Sequence, residues 1–518
     1  MTAKLSKIHL LSGVPLTPDY HNTILFDTEQ AQISYFLSKA LVNLSNYSYQ
    51  RHTKNSIRVG ISADKMYNVN YMCFQNTAFG QKWFYAFVTD VEYVNDNTSD
   101  VFYELDVMQT YIFDTDLEMC FVERQHAESD GVGENITPEP VHPGEYVFQK
   151  YGRLPGTAVL DPLAVFVAIS DESEAPDGRT YGGVYGGTTL YAFNADDTET
   201  IKSFLDQYAS RPDAVVSVYM APVIATGSAI ESGKVTKIAG SSASVRLTIT
   251  DVAPSDVSQV DGYNPQNKKL LTYPFNFYSV TAGSSSATFR YEFFAENTPT
   301  FYIDVPETQP VQVTLRPVNY KGSGEQRFSN ERVVLDSWPM CSWNTDAFKA
   351  WLAQNTAPIA SSVGMLGAGA LGMALTGGAV GGNAVGSALS STADLVRQGY
   401  QASISADITK GNIASGSVDV ASGTKNFFGG QCCVKAQQAK VIDDFFSMFG
   451  YAQNRLMVPN RKARPHWTYL KTVGCNLTGT IPAFAMQKLI SIYDNGLTFW
   501  RKPEEVGNYS LNNKPVEG

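Results

Sequence analysis

Between Lys349 and Asp394 the chain carries no charged side chain, and most of this gap is Gly, Ala, Ser and medium-sized apolar residues. It runs from Ala357-Pro-Ile-Ala through Val363-Gly-Met-Leu-Gly-Ala-Gly-Ala-Leu-Gly-Met-Ala-Leu to a Gly, Ala and Val run that ends at Ser391. A helix that spans a bilayer needs about 20 mostly apolar residues, so the stretch is long enough. Its glycines oppose a permanent span, because each costs roughly 1 kcal/mol of helix propensity relative to Ala. Apolar, uncharged and glycine-rich sequence suits conditional insertion, since proteins in solution rarely expose large apolar patches. The candidate membrane-active residues are Ile359, Val363, Gly364, Met365, Leu366, Gly367, Gly369, Leu371, Gly372, Met373, Leu375, Gly378, Val380, Gly382, Val385 and Gly386. Gly378, Gly382 and Gly386 recur every four residues, as do Gly364, Ala368 and Gly372, a spacing that lets helices approach closely in lipid. The bland reading of the same residues is a Gly-rich loop folded on the protein's own surface, its spacing an accident of composition.

The remaining sequence is ordinary. A chain of 518 residues exceeds one core and should divide into two to four domains. A formal charge of −11 argues against a basic stripe that grips phosphates. The short clusters Lys268-Lys269 and Arg461-Lys462-Ala463-Arg464 read as solvated faces. Six cysteines form no CxxC pair and no Cys/His metal spacing, so they read as reduced, mostly buried small hydrophobes, and the adjacent Cys432 and Cys433 cannot easily bridge each other. Residues 1–11 lack a signal-peptide core, which places synthesis and folding in the cytosol.

Aromatic residues at 12% and abundant Val, Ile and Thr favour strands over most of the first three hundred residues. The clearest hairpin is 83–94, a turn at 95–97, and a return over 101–113 in which apolar Val101, Tyr103, Leu105 and Val107 alternate with Phe102, Glu104, Asp106 and Met108. Further strands are expected at 57–61, 245–250, 271–280, 288–294 and 311–318. Helices are fewer. Thr345 caps one carrying Phe348, Trp351 and Leu352. A second, 436–449, turns Val441, Ile442, Phe445, Phe446 and Phe449 inward, with Asp443-Asp444 on its solvated face and Gly450 as its stop. A third, 485–494, presents Met486, Leu489, Ile490 and Tyr493 and ends at Asn495-Gly496. The class is mainly β with a few short helices (α+β), interrupted by one long apolar loop insertion.

No catalytic, cofactor or metal site emerges. The six histidines are scattered, and no HExxH, GxSxG or Walker motif occurs. His142 and Glu145 are the nearest approach to a metal pair, at a loop-like spacing.

Several stretches together resemble one family. Tyr71-Met-Cys-Phe-Gln-Asn, Gly80-Gln-Lys-Trp-Phe-Tyr-Ala-Phe-Val-Thr, Glu104-Leu-Asp-Val-Met-Gln-Thr-Tyr and Phe121-Val-Glu-Arg-Gln-His resemble the N-terminal part of the tail knob, or distal tail-tube, proteins of small short-tailed phages of Gram-positive bacteria. Phe446-Ser-Met-Phe-Gly-Tyr, Trp467-Thr-Tyr-Leu-Lys-Thr, Gly479-Thr-Ile-Pro and Tyr493-Asp-Asn-Gly-Leu-Thr-Phe-Trp resemble its C-terminal part. The resemblance implies a virion protein at the tail tip, made in the host cytoplasm, whose β-barrel or tube-forming domains assemble into a ring of six subunits through which DNA leaves. It further implies apolar loops that plug the tube and later open the host membrane. The partners so implied are other copies of the chain, other tail-tube proteins, lipid of the host cytoplasmic membrane, and passing DNA bound without sequence specificity. The organisation expected is an N-terminal β tube domain (1–125), a middle β-rich region (126–335), a helical anchor (336–356), the Gly/Ala-rich apolar loop (357–430) and a C-terminal segment completing the tube domain (431–518). Asp394, Asp407 and Asp419 flank the apolar core and either respond to acid or keep the return strand soluble. Two rival functions are a receptor-binding or collar component without membrane activity, and a tail-associated cell-wall hydrolase.

Overall fold

The computed structural model describes residues 5–48, 55–170, 188–208, 214–227, 229–238, 245–249, 258–282, 285–294, 299–306, 311–321, 331–335, 340–342, 407–413, 416–422 and 426–515. They fall into two compact units: the first takes 1–142, 264–270 and 437–518, the second 143–263 and 271–436. Five α-helices are described: α1 (Glu29–Ser38), α2 (Val107–Tyr111), α3 (Thr198–Asp206), α4 (Ala436–Phe449) and α5 (Ala483–Asn495). The rest of the regular structure is strand and short 3₁₀ turns, the mainly β class expected.

The first unit holds a six-stranded antiparallel sheet in the order Ala40–Ser48, Leu5–Ser12, Val69–Asn76, Trp83–Asn95, Thr98–Leu105, Ser56–Val59. Successive residues of its inner strands serve opposite faces, as the strand period of two requires. Tyr71, Cys73, Tyr85 and Phe87 enter a core with Phe36, Leu470, Leu489, Tyr493 and Phe499. Met72 and Ala86 enter a smaller core with Ile8, Leu10, Ile57, Val59 and Val101. A second sheet mixes the two ends of the chain in the order Asn22–Ile24, Leu497–Trp500, Trp467–Val473, Cys120–Gln125, Tyr451–Met457. Asn22–Ile24 runs parallel to Leu497–Trp500, and the other pairs are antiparallel.

The hairpin read from the sequence forms, with Asn95 opposite Thr98 across its turn. Its return strand ends at Leu105 rather than 113, because Asp106 caps α2 by accepting the Gln109 backbone N–H at 3.0 Å. That carboxylate also accepts the Tyr71 hydroxyl at 2.8 Å. The side chains expected to line α4 are also revised. Ile442 and Phe446 are buried, Phe445 and Phe449 half-buried, and Val441 is 59% exposed, while Asp443 turns inward at 1% exposure. The apolar stripe is thus centred between Ala439, Ile442 and Phe446, which leaves Val441 outside and carries Asp443 inside. Helix α5 ends as read, at Gly496, whose φ of +88° needs the left-handed freedom of glycine.

In the second unit, a five-stranded sheet runs Thr236–Ile238, Thr188–Asn194, Leu163–Ser170, Val215–Pro222, Met340–Ser342. Its central strand is buried from Ala164 to Ile169, and Ile201, Phe204 and Leu205 of α3 enter the same core. The sequence reading passed over that strand, although its unbroken apolar run is what two covered faces produce. A four-stranded sheet runs Tyr146–Arg153, Phe428–Val434, Asn276–Ala282, Ser285–Phe289, and another runs Val245–Ile249, Phe301–Val305, Val313–Pro317, Val333–Leu335. Strands expected at 271–280 and 288–294 are shifted: Lys268–Leu271 and Tyr291–Phe293 are 3₁₀ turns.

Burial pushes the Asp106 carboxyl up to about 6 despite its hydrogen bonds from Gln109 and Tyr71. The native state therefore holds this proton more tightly than the unfolded chain, and ionisation above pH 6 destabilises the fold. Asp106→Asn, which keeps an acceptor for the Gln109 N–H, is expected to stabilise the protein by about 1–3 kcal/mol at pH 8. The gain should shrink toward zero by pH 4, as read from urea unfolding at the two pH values.

Candidate functional site

Every candidate residue of the apolar segment, 359–386, lies outside the described residues, as do Thr345 and Asp394. The described chain that brackets it belongs to the second unit. On the entry side Met340–Ser342 is an edge strand, with Tyr219, Val218 and Ser217 opposite Met340, Cys341 and Ser342. On the exit side Asp407–Ile413 pairs with Gly416–Ser422, which puts Asp407 opposite Ser422 and Asp419 opposite Lys410.

Beyond that hairpin the chain is tightly held. Phe427 is buried, and its carbonyl accepts the Leu154 N–H at 3.0 Å. The Asn426 amide donates to Thr157 O at 3.2 Å. Phe428–Val434 then occupies an inner position of its sheet, between Tyr146–Arg153 and Asn276–Ala282. A Cβ on Gly430 would stand 2.8 Å from Tyr151 Cα, so that glycine is required by close backbone approach, and one on Gly429 would crowd the Tyr278 hydroxyl at 2.9 Å and Ser279 O at 3.1 Å. Cys432 and Cys433 are buried in this strand as free thiols, pushed up to about 12 and about 11 by burial. These features make 426–434 a fixed support for whatever the preceding segment does.

A second constellation, in the first unit, escaped the sequence reading. Glu139, with its side chain 1% exposed, is ion-paired with both Arg124 and Lys269 and accepts the Ala452 N–H at 2.9 Å. Lys269 also donates to Thr137 O at 2.7 Å. Asp130 accepts from the Tyr451 hydroxyl at 2.6 Å and from the Lys268 N–H at 3.0 Å. Asp443 accepts the N–H groups of Gln266 and Asn267 at 2.7 and 3.0 Å, and the Asn267 side-chain amide at 2.8 Å. This replaces the solvated face expected for Asp443, although Asp444 is exposed. The basic clusters divide likewise, since Lys269 and Arg464 are buried while Lys268 and Lys462 are exposed. Buried charges require partners. Arg124 and Lys269 share Glu139, Asp443 is met by neutral N–H donors, and Arg464 donates to Asn513 O at 3.4 Å. The clue was periodicity: Asp443 lies four residues after Ala439 and three before Phe446, on the apolar face.

His126 completes the cluster. Its Nδ1 accepts the Tyr469 N–H at 2.8 Å, so Nε2 carries the proton and donates to Ser447 O at 3.0 Å. Burial, with Arg464 and Arg124 nearby, holds this imidazole down to about 3. A small cavity lined by His126, Asn267, Ser447, Arg464, Trp467 and Asn513 adjoins it, and at its wall Arg464 Nε meets no hydrogen-bond acceptor among the described residues. The cluster's ion pairs and hydrogen bonds clasp 124–139, 264–270 and 437–469 together. Glu145, of the weighed metal pair, is instead ion-paired with Lys435.

Two outcomes follow for the clasp. Glu139→Gln leaves Lys269 and Arg124 without their shared counter-charge and is expected to cost roughly 3–5 kcal/mol of stability, part of it restored in Glu139→Gln/Lys269→Met, as measured by urea unfolding. His126 must stay neutral in the fold but protonates in the unfolded chain below about 6.5. Its contribution is complete above that pH and declines by about 1.4 kcal/mol per pH unit toward pH 3. Asp106 supplies the opposite slope between about pH 6 and 4, so the test is the difference between wild type and His126→Gln. That difference should shrink as pH falls from 6.5 to 4.

Comparison with known proteins gives the following likenesses. The family model described as the C-terminal domain of tail knob protein gp9 of Bacillus phage phi29 matches residues 240–514. The model described as the caudoviral major tail protein N-terminus matches residues 4–116. Over 98% of both chains the protein is 26% identical to tail knob protein gp9 of Bacillus phage B103, and 24% identical to that of Bacillus phage phi29. The solved structure of the bacteriophage C1 tail knob protein, gp12, shares the fold at a TM-score of 0.58 and 16% identity, over 98% of this chain and 99% of that one.

Proposed function

This chain belongs to the tail knob protein family, structural components of the virion at the tail of short-tailed phages, and from that premise we propose that it forms a non-enzymatic conduit whose apolar segment opens the host membrane. Six copies form the ring, joined to other tail-tube proteins, and the β units make its wall. Genomic DNA passes through without being gripped, in keeping with a net charge of −11, since a basic lumen would bind phosphates and retard passage. In the closed ring the segments 357–391 plug the tube and cover one another's apolar side chains. Contact with lipid offers those side chains a better partner, and the population shifts to the inserted form. Transfer of Val363, Met365, Leu366, Leu371, Met373 and Leu375 at about 25 cal/mol per Å² supplies several kcal/mol per subunit.

The observation that carries this reading is the uncharged gap between Lys349 and Asp394, followed by an exit strand that tolerates no added side chain at Gly430. Among the described residues no helix is long and apolar enough to cross a membrane. That focuses the test on the segment. Liposomes loaded with a self-quenching dye should leak on addition of the intact protein and stay sealed with a variant in which a Gly-Ser linker replaces 357–391. Sedimentation should show the same oligomer for both. If neither leaks and both assemble, the segment is a seal and the membrane role is wrong.

A further inference from the structure

Cys120 opens the strand Cys120–Gln125, and Cys475 follows the strand Trp467–Val473 that pairs with it. The two positions are about 355 residues apart in the sequence. Backbone pairing on both sides holds the two stretches that carry them together. The Glu118 N–H donates to Asn476 O at 2.9 Å, and Leu117 and Thr115 pair with Leu477 and Gly479. The turn that carries Cys475 is itself fixed, because Asp494 accepts from Thr472 Oγ1 at 2.7 Å, Gly474 N at 3.1 Å and Cys475 N at 3.0 Å. Phe121 opposite Val473 on one side and Glu118 bonded to Asn476 on the other confine Cys120 and Cys475 to the same short stretch of the pairing, where both are free and only 3% and 5% exposed. Their neighbours Met119 and Gly474 are exposed, so the pair sits just under the surface.

We propose that Cys120 and Cys475 are a latent disulfide, open in the reducing cytoplasm where the chain folds and closed by peroxide once the virion is outside the cell. Cytosolic reductants keep thiols open, and their loss at lysis removes that control. The closed bond joins the N-terminal and C-terminal contributions to the first unit, where loop closure over so many residues constrains the unfolded chain most. The inference goes beyond the conduit reading and does not depend on membrane insertion.

The chemistry balances with hydrogen peroxide as oxidant. One thiolate attacks the O–O bond, giving a sulfenic acid and releasing hydroxide, which takes up a proton to become water. The second sulfur then displaces the sulfenic hydroxyl as a second water and forms the S–S bond. Two thiols and one peroxide give one disulfide and two waters, the peroxide being reduced as the sulfurs are oxidised. Burial, then the neighbouring thiol, pushes Cys475 up to about 12, so thiolate is scarce and closure is slow at pH 7 and faster at pH 9.

The test uses the full chain, purified with a phosphine reductant, freed of it, and exposed to hydrogen peroxide for timed intervals at pH 7 and 9. Alkylation and tryptic digestion without reduction follow. Peptides 83–124 and 472–488 each carry one cysteine. The expected result is a disulfide-joined pair of these peptides, formed faster at pH 9, with a melting temperature roughly 5–10 °C higher that dithiothreitol returns to the starting value. Cys475→Ala and Cys120→Ala should each lose the peptide pair and the reversible shift, which separates the effect from methionine oxidation. Sulfinic or sulfonic acid at either cysteine in place of the joined peptides, or two fully alkylated peptides after prolonged exposure, would overturn the proposal. Both readings come from the wild-type protein, so they stand even if a variant folds poorly.

Discussion

The first unit depends on one strand, Cys120–Gln125, finding two partners that lie more than three hundred residues away. Tyr451–Met457 and Trp467–Val473 flank it, with Gln125 opposite both Tyr451 and Leu470. Without these pairs the strand would bury unpaired N–H and C=O groups, each costly away from water. The N-terminal sheet would also lose Leu470, Leu489, Tyr493 and Phe499 from its core. Both sequence segments of the second unit, 143–263 and 271–436, therefore fall between the N-terminal and C-terminal parts of the first.

The polar clasp follows from the same closure. Bringing 124–139, 264–270 and 437–469 together buries charges of both signs, and the arrangement is sustained because Glu139 meets two cations and Asp443 meets three N–H donors. Removing one member of such a set exposes the desolvation penalty of the others, so the clasp gives register more than raw stability. His126 shows how sharply the environment is specified. Its ring accepts on one side and donates on the other, which fits only the neutral form.

Much of this was legible beforehand where local chemistry decides. The hairpin 83–105, the helix stop at Gly496 and the burial of five described cysteines all rest on side-chain period, glycine freedom or residue polarity. The segments that carried the family resemblance supply part of the polar network, Asp106, Gln109, Arg124, His126 and Tyr451, while Glu139, Lys269 and Asp443 lie outside them. What misled was context. Asp443 and Asp444 differ by one position on a helix, and only the chain docked against α4 distinguishes the buried carboxylate from the exposed one. Lys268 and Lys269 divide in the same way.

The sequence by itself determined the β-rich class, the net negative charge and the charge-free stretch between Lys349 and Asp394, because composition and period act through nearest neighbours. Only the tertiary structure decided which charges are internal, which strands close the first unit, and that Cys120 and Cys475 meet. Those depend on pairings across hundreds of residues, whose free energy comes from burial and hydrogen bonds that no local window contains.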